Sequence, residues 1–292
     1  MINVKDLESP TTGFEGYKAI LFPFAYNITG DFMAAEDIVQ EVLTKHLLVS
    51  DPAIENPKHY LIRAVINRSI NEKKMLRTRM EDYRGKWLPS PVVTEENIYR
   101  SADREKILHY SLLVLLERLN AKERAVFILK ETFDFEHEEI ADILEIKPDH
   151  SRQLLKRAKE KISPLAKKRV QTKSSDGQFL QDLVEAISTS DVARTKLLLS
   201  NDVQCVSDGG KVKAARNMLT GKDRVSKFLK AIYGKYYPEG AAWKIVEINF
   251  HPAILFTLNN KVFRCIVFEL KGEVVQKIFI IVNPDKLQQL KF

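Results

Sequence analysis

Between Gly30 and Gly177 the chain contains a single glycine, Gly85. So long a stretch with so few loosening residues, with apolar side chains at helical spacing and charges in the gaps, predicts helices from Gly13 to about Arg169. From Asp176 onward the texture changes. Two helical stretches, Gln178–Ser188 and Val192–Leu199, precede apolar β-rich runs at Val203–Ser207, Trp243–Phe250, Ala253–Leu258, Val262–Leu270 and Val274–Val282. An amphipathic helix, Lys222–Tyr236, falls between them. The helical part is itself divided, because Gly85, Pro89 and Pro91 stop helices within Arg79–Ser101. Gln171–Gly177 is polar and small enough to be a second linker. A chain of 292 residues favours more than one core, so a multidomain protein is expected.

Composition narrows the classes. No apolar run is long enough to span a bilayer and Met1–Asp6 opens no signal peptide, so a cytoplasmic protein with no membrane partner is expected. Cys205 and Cys265 both sit in apolar runs and read as small buried hydrophobes, not as a disulfide or a zinc site. A net charge of +7 permits a polyanionic partner, and the distribution of that charge matters more than its sum.

The basic residues concentrate on two helices. Glu139–Leu144 makes a short amphipathic helix, Ile146-Lys147-Pro148-Asp149 breaks it, and His150–Ile162 restarts, with Leu154, Leu155 and Ala158 facing inward. Asp149 is expected to cap the second helix, its carboxylate accepting first-turn N–H groups. Arg152, Gln153, Lys156, Arg157, Lys159 and Lys161 point outward. This is the layout of a helix-turn-helix, whose second helix reads base edges in the major groove while later lysines meet phosphates. The alternative is a solvated charged face on an ordinary helical hairpin. A second basic helix, Tyr60 to about Met80, carries Arg63, Asn67, Arg68, Asn71, Lys73, Lys74, Arg77 and Arg79 against one acidic residue, Glu72.

Leu21–Gly30 followed by Asp31–Val42, with its Ala-Glu-Asp-Ile-Val-Gln-Glu core, resembles region 2 of bacterial sigma factors. The resemblance implies that this helix docks on the β′ clamp helices of RNA polymerase core through Asp37, Gln40 and Glu41, with Ile38 and Val42 turned inward. It implies that Arg63, Asn67, Arg68 and Asn71 contact the −10 element. It makes the helix-turn-helix sigma region 4, with Arg152, Gln153, Lys156 and Arg157 on the −35 element and the β subunit as a further partner. More narrowly, the chain is similar to the extracytoplasmic-function subgroup with a SnoaL-like extension. Trp87-Leu88-Pro89-Ser90-Pro91 resembles a linker motif that has glutamate where Ser90 stands. Asp208-Gly209-Gly210-Lys211 resembles the Asp-Gly-Gly-Gly-Lys turn one glycine shorter, and Asn283-Pro284-Asp285-Lys286-Leu287 matches the C-terminal motif.

The implied architecture is two all-α sigma modules, a region 2 bundle and a region 4 helix-turn-helix, plus a C-terminal α+β SnoaL-like cone. Region 2 takes residues 1–80, the motif-bearing linker 81–105, region 4 106–170, a short linker 171–177 and the cone 178–292. The three short motifs are expected to form a regulatory contact between linker and cone. Trp87 points the same way, because an aromatic in a Pro-rich linker needs an apolar surface to cover it. No cofactor or metal is implied; an unknown small ligand in the cone is allowed. Two other readings compete. A one-component helix-turn-helix regulator with a ligand-sensing domain leaves the Ala35–Glu41 motif and the Tyr60–Arg79 helix unexplained. An enzyme on the cone fold would use His251 or Asp208, but the sequence pairs no acid and base at a useful spacing.

Overall fold

Helices form where the periodicity places them. The structure, a computed structural model, describes residues 14–48, 56–79, 83, 85–94, 106–166, 177–236 and 238–290. The linker expected at 171–177 lies outside these, apart from Gly177, as do parts of the linker at 81–105. The helices before it are α1 (Phe14–Thr29), α2 (Phe32–Leu48), α3 (Pro57–Arg79), α4 (Tyr110–Leu116), α5 (Ala121–Glu131), α6 (His137–Leu144) and α7 (Pro148–Ala166). Gly30, at φ 73°, ends α1, a conformation that glycine adopts without strain. Asn120 and Glu123 form a reciprocal capping box at the start of α5. Among the described residues no helix is long and apolar enough to cross a membrane.

Contacts divide the chain into two compact units that interleave along it. The first comprises 1–75, 105–107 and 119–159. Its core takes Leu21, Ala25 and Ile28 from α1 and Ile38, Val39 and Val42 from α2. From α3 come Leu61, Val65 and Ile66. Arg124, fully buried, donates from Nε to the Asn27 carbonyl at 2.8 Å, tying α5 to α1. Phe133 stacks on Phe24 with ring centroids 3.8 Å apart.

The second unit comprises 76–104, 108–118 and 160–292. It is built on a six-stranded sheet of β1 (Leu199–Asp208), β2 (Leu219–Thr220), β3 (Ala242–Ile248), β4 (His251–Leu258), β5 (Lys261–Lys271) and β6 (Val274–Ile281). The order is β2-β1-β6-β5-β4-β3, antiparallel throughout except for the parallel pair β1 and β6. Strand β1 starts earlier than the sequence suggests, because Leu199 pairs with Val275. Its helices are α8 (Gly177–Ser188), α9 (Val192–Leu197), α10 (Lys222–Tyr236) and α11 (Pro284–Leu287), along with α4.

Alternation along the strands builds two cores, since successive side chains leave opposite faces of a sheet. Ile266 and Phe268 of β5 bury against Leu183 and Val184 of α8 and Val225 and Leu229 of α10. Cys265 and Val267 face the other way, into a cluster with Leu88, Tyr110, Leu287 and Leu290. The two cysteines therefore lie in different clusters, both free and buried, and burial pushes the Cys205 thiol up to about 12. Asn249 and Phe250, at φ 46° and 58°, form the two-residue turn between β3 and β4, where the sequence pattern carried the strand through Phe250.

Candidate nucleic-acid and linker sites

In the first unit the helix-turn-helix is α6 and α7, joined through Glu145, whose left-handed φ of 52° turns the chain. On α7, Ser151, Leu154, Ala158 and Ile162 are buried at three- and four-residue intervals, which leaves Arg152, Gln153, Lys156 and Arg157 exposed together. The side chains of His137 and Ser151 meet at 2.8 Å and fasten the two helices. One expectation is corrected. Asp149 does not cap α7, because the helix already begins at Pro148; Asp149 sits in its first turn and accepts from Arg152 at 2.9 Å. Proline lacks an N–H and has a helical φ, so it starts a helix one residue sooner than an acidic cap would. Arg152 also pairs with Glu138 at 2.8 Å.

On α2, Asp37 and Gln40 are exposed while Ile38 and Val42 are buried. Glu41 is half-buried and holds Lys45 at 2.6 Å and Arg68 at 3.1 Å. Hydrogen bonds from Lys45 and then Arg68 keep its carboxyl below the usual range. The structure thus joins a residue expected to touch polymerase to one expected to touch the −10 element. On α3, Arg63 reaches Asp142 at 3.3 Å and Glu145 at 3.0 Å, and Asn67 donates to the Ile143 carbonyl at 3.0 Å. Asn71 is exposed. Lys73, read as part of the basic face, is instead buried and donates from Nζ to the Thr29 carbonyl at 2.8 Å.

In the second unit the three short motifs converge on Asp208, at the end of β1. Its side chain is fully buried, and Oδ2 accepts from Lys286 Nζ at 2.6 Å and from the Leu88 N–H at 2.8 Å. Oδ1 accepts from the Tyr83 hydroxyl and from the Gly210 N–H at 3.1 Å. Lys286 also donates to the Leu88 carbonyl and lies 3.8 Å from the centre of the Trp87 ring, a cation on an aromatic face. Burial first, then the bond to Asp208, pushes the Tyr83 phenol well above its usual range. Pro89 and Pro91 present carbonyls to Tyr110 at 2.7 Å and to Gln289 at 3.1 Å.

The paired glycines have a steric reason. A Cβ on Gly210, whose φ is +54°, would stand 2.5 Å from the Asn283 side chain, and one on Gly209 would stand 2.2 Å from the Val212 carbonyl. Asn283 caps α11 by accepting the Asp285 N–H at 3.2 Å, and it donates to Tyr83 at 3.0 Å. Lys211 pairs with Asp285 at 3.5 Å on the surface, whereas the buried cation of this site comes from Asn283–Leu287.

Three participants escape sequence reasoning. Tyr83 has no motif around it. Asn249 accepts the Val92 N–H at 2.9 Å and donates to the Leu108 carbonyl at 3.1 Å, holding linker and α4 from one side chain. Ser111 of α4 meets His251 Nε2 at 2.8 Å and donates to Glu269, which Lys277 holds at 3.0 Å. A hydrolytic triad would place the carboxylate on the other ring nitrogen; here Nδ1 lies 3.1 Å from the Asn249 carbonyl. Neither His251 nor Asp208 lines the cone's cavity.

Burial holds His251 neutral, its pKa pushed down to about 4, with His109 and Lys277 adding to the drop and Asn249 and Glu269 opposing it. The unfolded ring takes its proton near pH ~6.5. The unfolded chain therefore binds the extra proton below that point, and stability, complete above pH ~6.5, falls toward pH ~4 by on the order of 3 kcal/mol. Urea unfolding across this interval should show the decline, and His251→Gln should flatten it. An unchanged slope in the variant would assign the acid sensitivity to other groups.

The model of Sigma-70, region 4 matches residues 109–162. The chain is 28% identical over 232 residues to the ECF RNA polymerase sigma factor SigJ of Mycobacterium tuberculosis, covering 77% of this chain and 73% of that protein. It is 24% identical over 295 residues to the probable ECF RNA polymerase sigma factor SigI of the same species, covering 96% of each. The crystal structure of the M. tuberculosis extracytoplasmic function sigma factor SigJ superposes with a TM-score of 0.72 at 24% identity, covering 94% of this chain and 96% of that one. That likeness shows that the chain has the same fold.

Proposed function

We infer that the chain is a sigma factor of the extracytoplasmic-function kind with a SnoaL-like C-terminal domain, which binds RNA polymerase core, recognises −10 and −35 promoter elements and starts transcription. The observation that carries this reading is α7, with Arg152, Gln153, Lys156 and Arg157 exposed together inside a segment that the region 4 model matches. In this reading those four side chains meet the −35 element. Asp37 and Gln40, with Glu41 beside them, dock on the β′ clamp helices, and Arg63, Asn67, Arg68 and Asn71 capture the −10 strand, as basic grooves do for unpaired DNA. The functional modules are 1–80, 106–170 and 178–292, and the protein works in the cytoplasm alongside polymerase.

The C-terminal domain acts in cis. Of the linker between the two DNA-reading modules, the stretch 86–94 lies along the cone. Val93 bridges to Ile248, Thr94 donates to the Glu247 carbonyl at 2.9 Å, and Leu88 is buried. Linker bound in this way is not available to span the distance between promoter elements, so the Asp208–Lys286 contact sets how far the modules can part.

Within the first unit, Arg63 and Asn67 are also occupied by α6. Exposed ion pairs contribute only about 0–1 kcal/mol each, so DNA phosphates displace them readily. The double variant Asp142→Asn, Glu145→Gln should therefore raise initiation by roughly 2- to 10-fold, which abortive transcription assays with core would read. Unchanged initiation would mean that the α6 contact does not compete with the −10 element.

The cavity of the cone keeps the one-component regulator alive as a second reading. The two separate on core dependence. Labelled promoter duplex should be bound tightly with polymerase core present and weakly by the chain alone. Equally tight binding without core would favour the regulator.

A further inference from the structure

The second unit holds a cavity of about 570 Å³, a size typical of small-molecule sites. Phe228 and Ile232 of α10, Phe263 of β5, Ile280 of β6 and Leu287 of α11 give it apolar walls. The backbone turns Phe263 into it. Phe256 pairs with Arg264 and Thr257 with Val262, so Phe263 is an extra residue on β5. A bulge of this kind re-aims side chains that strict alternation would send to opposite faces. Phe263 and Arg264 consequently both line the cavity. Arg264 is already engaged, its guanidinium carbon lying 5.5 Å from the Phe263 ring centre and 5.6 Å from that of Phe256. Lys213, on the loop after the glycine turn, is exposed.

One residue breaks the apolar pattern of the sheet. Along β1, Val203 and Cys205 leave the same face and bury in the cluster with α8 and α10. Ser207 is the next position on that face, paired with Ile280 of β6 and only 4% exposed. Both residues line the cavity. Among the described residues, the Ser207 hydroxyl makes no hydrogen bond. Buried hydroxyls are ordinarily hydrogen-bonded, and a hydroxyl can both donate and accept. The wall therefore offers one polar group, uncommitted within the protein, to a molecule that fills the apolar space.

We propose that this cavity binds a small uncharged molecule with an apolar body and one hydroxyl or carbonyl oxygen. That oxygen hydrogen-bonds Ser207, and the body packs against Phe228 and Phe263. A serine hydroxyl supplies a hydrogen bond and no charge, so it does not offset the desolvation of an ionised group. Ser207 adjoins Asp208, and Leu287 adjoins Lys286 on α11. The cavity thus shares a wall with the linker contact, and its relevance to transcription rests on the sigma reading, whereas binding itself is read on the free chain.

Equilibrium dialysis of the full chain at neutral pH against 2-naphthol, naphthalene and 2-naphthoate tests the proposal, because the three share a ring body and differ in the polar group. The alcohol should bind more tightly than the carboxylate. Ser207→Ala takes no hydrogen bond from the free chain. It should weaken binding of the alcohol about two- to tenfold, the span of one net hydrogen bond, and leave naphthalene unchanged. Ala215→Trp, which fills the cavity and leaves Ser207 in place, should abolish binding of both. No binding of the alcohol, tighter binding of the carboxylate, an equal effect of Ser207→Ala on alcohol and hydrocarbon, or unaltered binding by the Ala215 variant would each overturn the proposal. None of these outcomes touches core-dependent transcription, which stands or falls separately.

Discussion

Lys286→Met lowers the unfolding free energy of the second unit by about 3–5 kcal/mol, the usual penalty for stranding one member of a buried ion pair. The size follows from burial: the two side chains are 3% and 0% exposed, so removing the lysine leaves its partner's site without solvent to take the cation's place. The Leu88 carbonyl loses the Lys286 donor and Trp87 its cation in the same step. The linker should therefore come away from the cone, with faster proteolysis in 81–105 and a shift in Trp87 emission. Adding Asp208→Leu should recover much of the loss, since an apolar replacement of both partners strands no charge. Chemical denaturation of the three variants measures the coupling. A loss under about 1 kcal/mol for Lys286→Met would mean that the pair does not hold the linker.

Arg152→Ala combined with Lys156→Ala reduces initiation at a promoter with a −35 element by about tenfold or more, each base contact contributing roughly 1–3 kcal/mol. Arg152 must first leave Asp149 and Glu138, but both pairs are solvent-exposed and hold it by at most about 1 kcal/mol each. The exchange favours DNA. Docking on the β′ clamp helices should not change, because neither residue lies on α2. Run-off yield from matched promoters with and without the −35 element isolates the effect, and an equal loss on both templates would remove these residues from −35 recognition.

The sequence carried the helix-turn-helix because burial on α7 repeats every three or four residues, and that rhythm alone turns Arg152, Gln153, Lys156 and Arg157 outward. The same rhythm does not say which flank of a basic helix packs inward, so Lys73 looks like its basic neighbours in the sequence although it is buried. The chain position of α4 also misleads. It falls within the segment matched as region 4 yet packs in the second unit, where Tyr110 bonds Pro89 and Ser111 meets His251. The short motifs were visible as motifs, but their mutual contacts join residues 78 to 198 positions apart. Neither Asp208 nor Lys286 carries a local sign of the other. Tyr83 and Asn249 lay beyond sequence reasoning for the same reason. The Phe263 bulge is a register event in the pairing of β4 with β5, which no single-strand pattern encodes.

Run-off transcription with purified polymerase core, on a cognate promoter found by selection, tests the central claim most directly. The full chain and a version ending before Asn283 would each be added to core. Initiation that requires the chain is the predicted result, with a different yield from the shortened version because Lys286 no longer pairs with Asp208. No initiation with either version, together with tight duplex binding in the absence of core, would contradict the account.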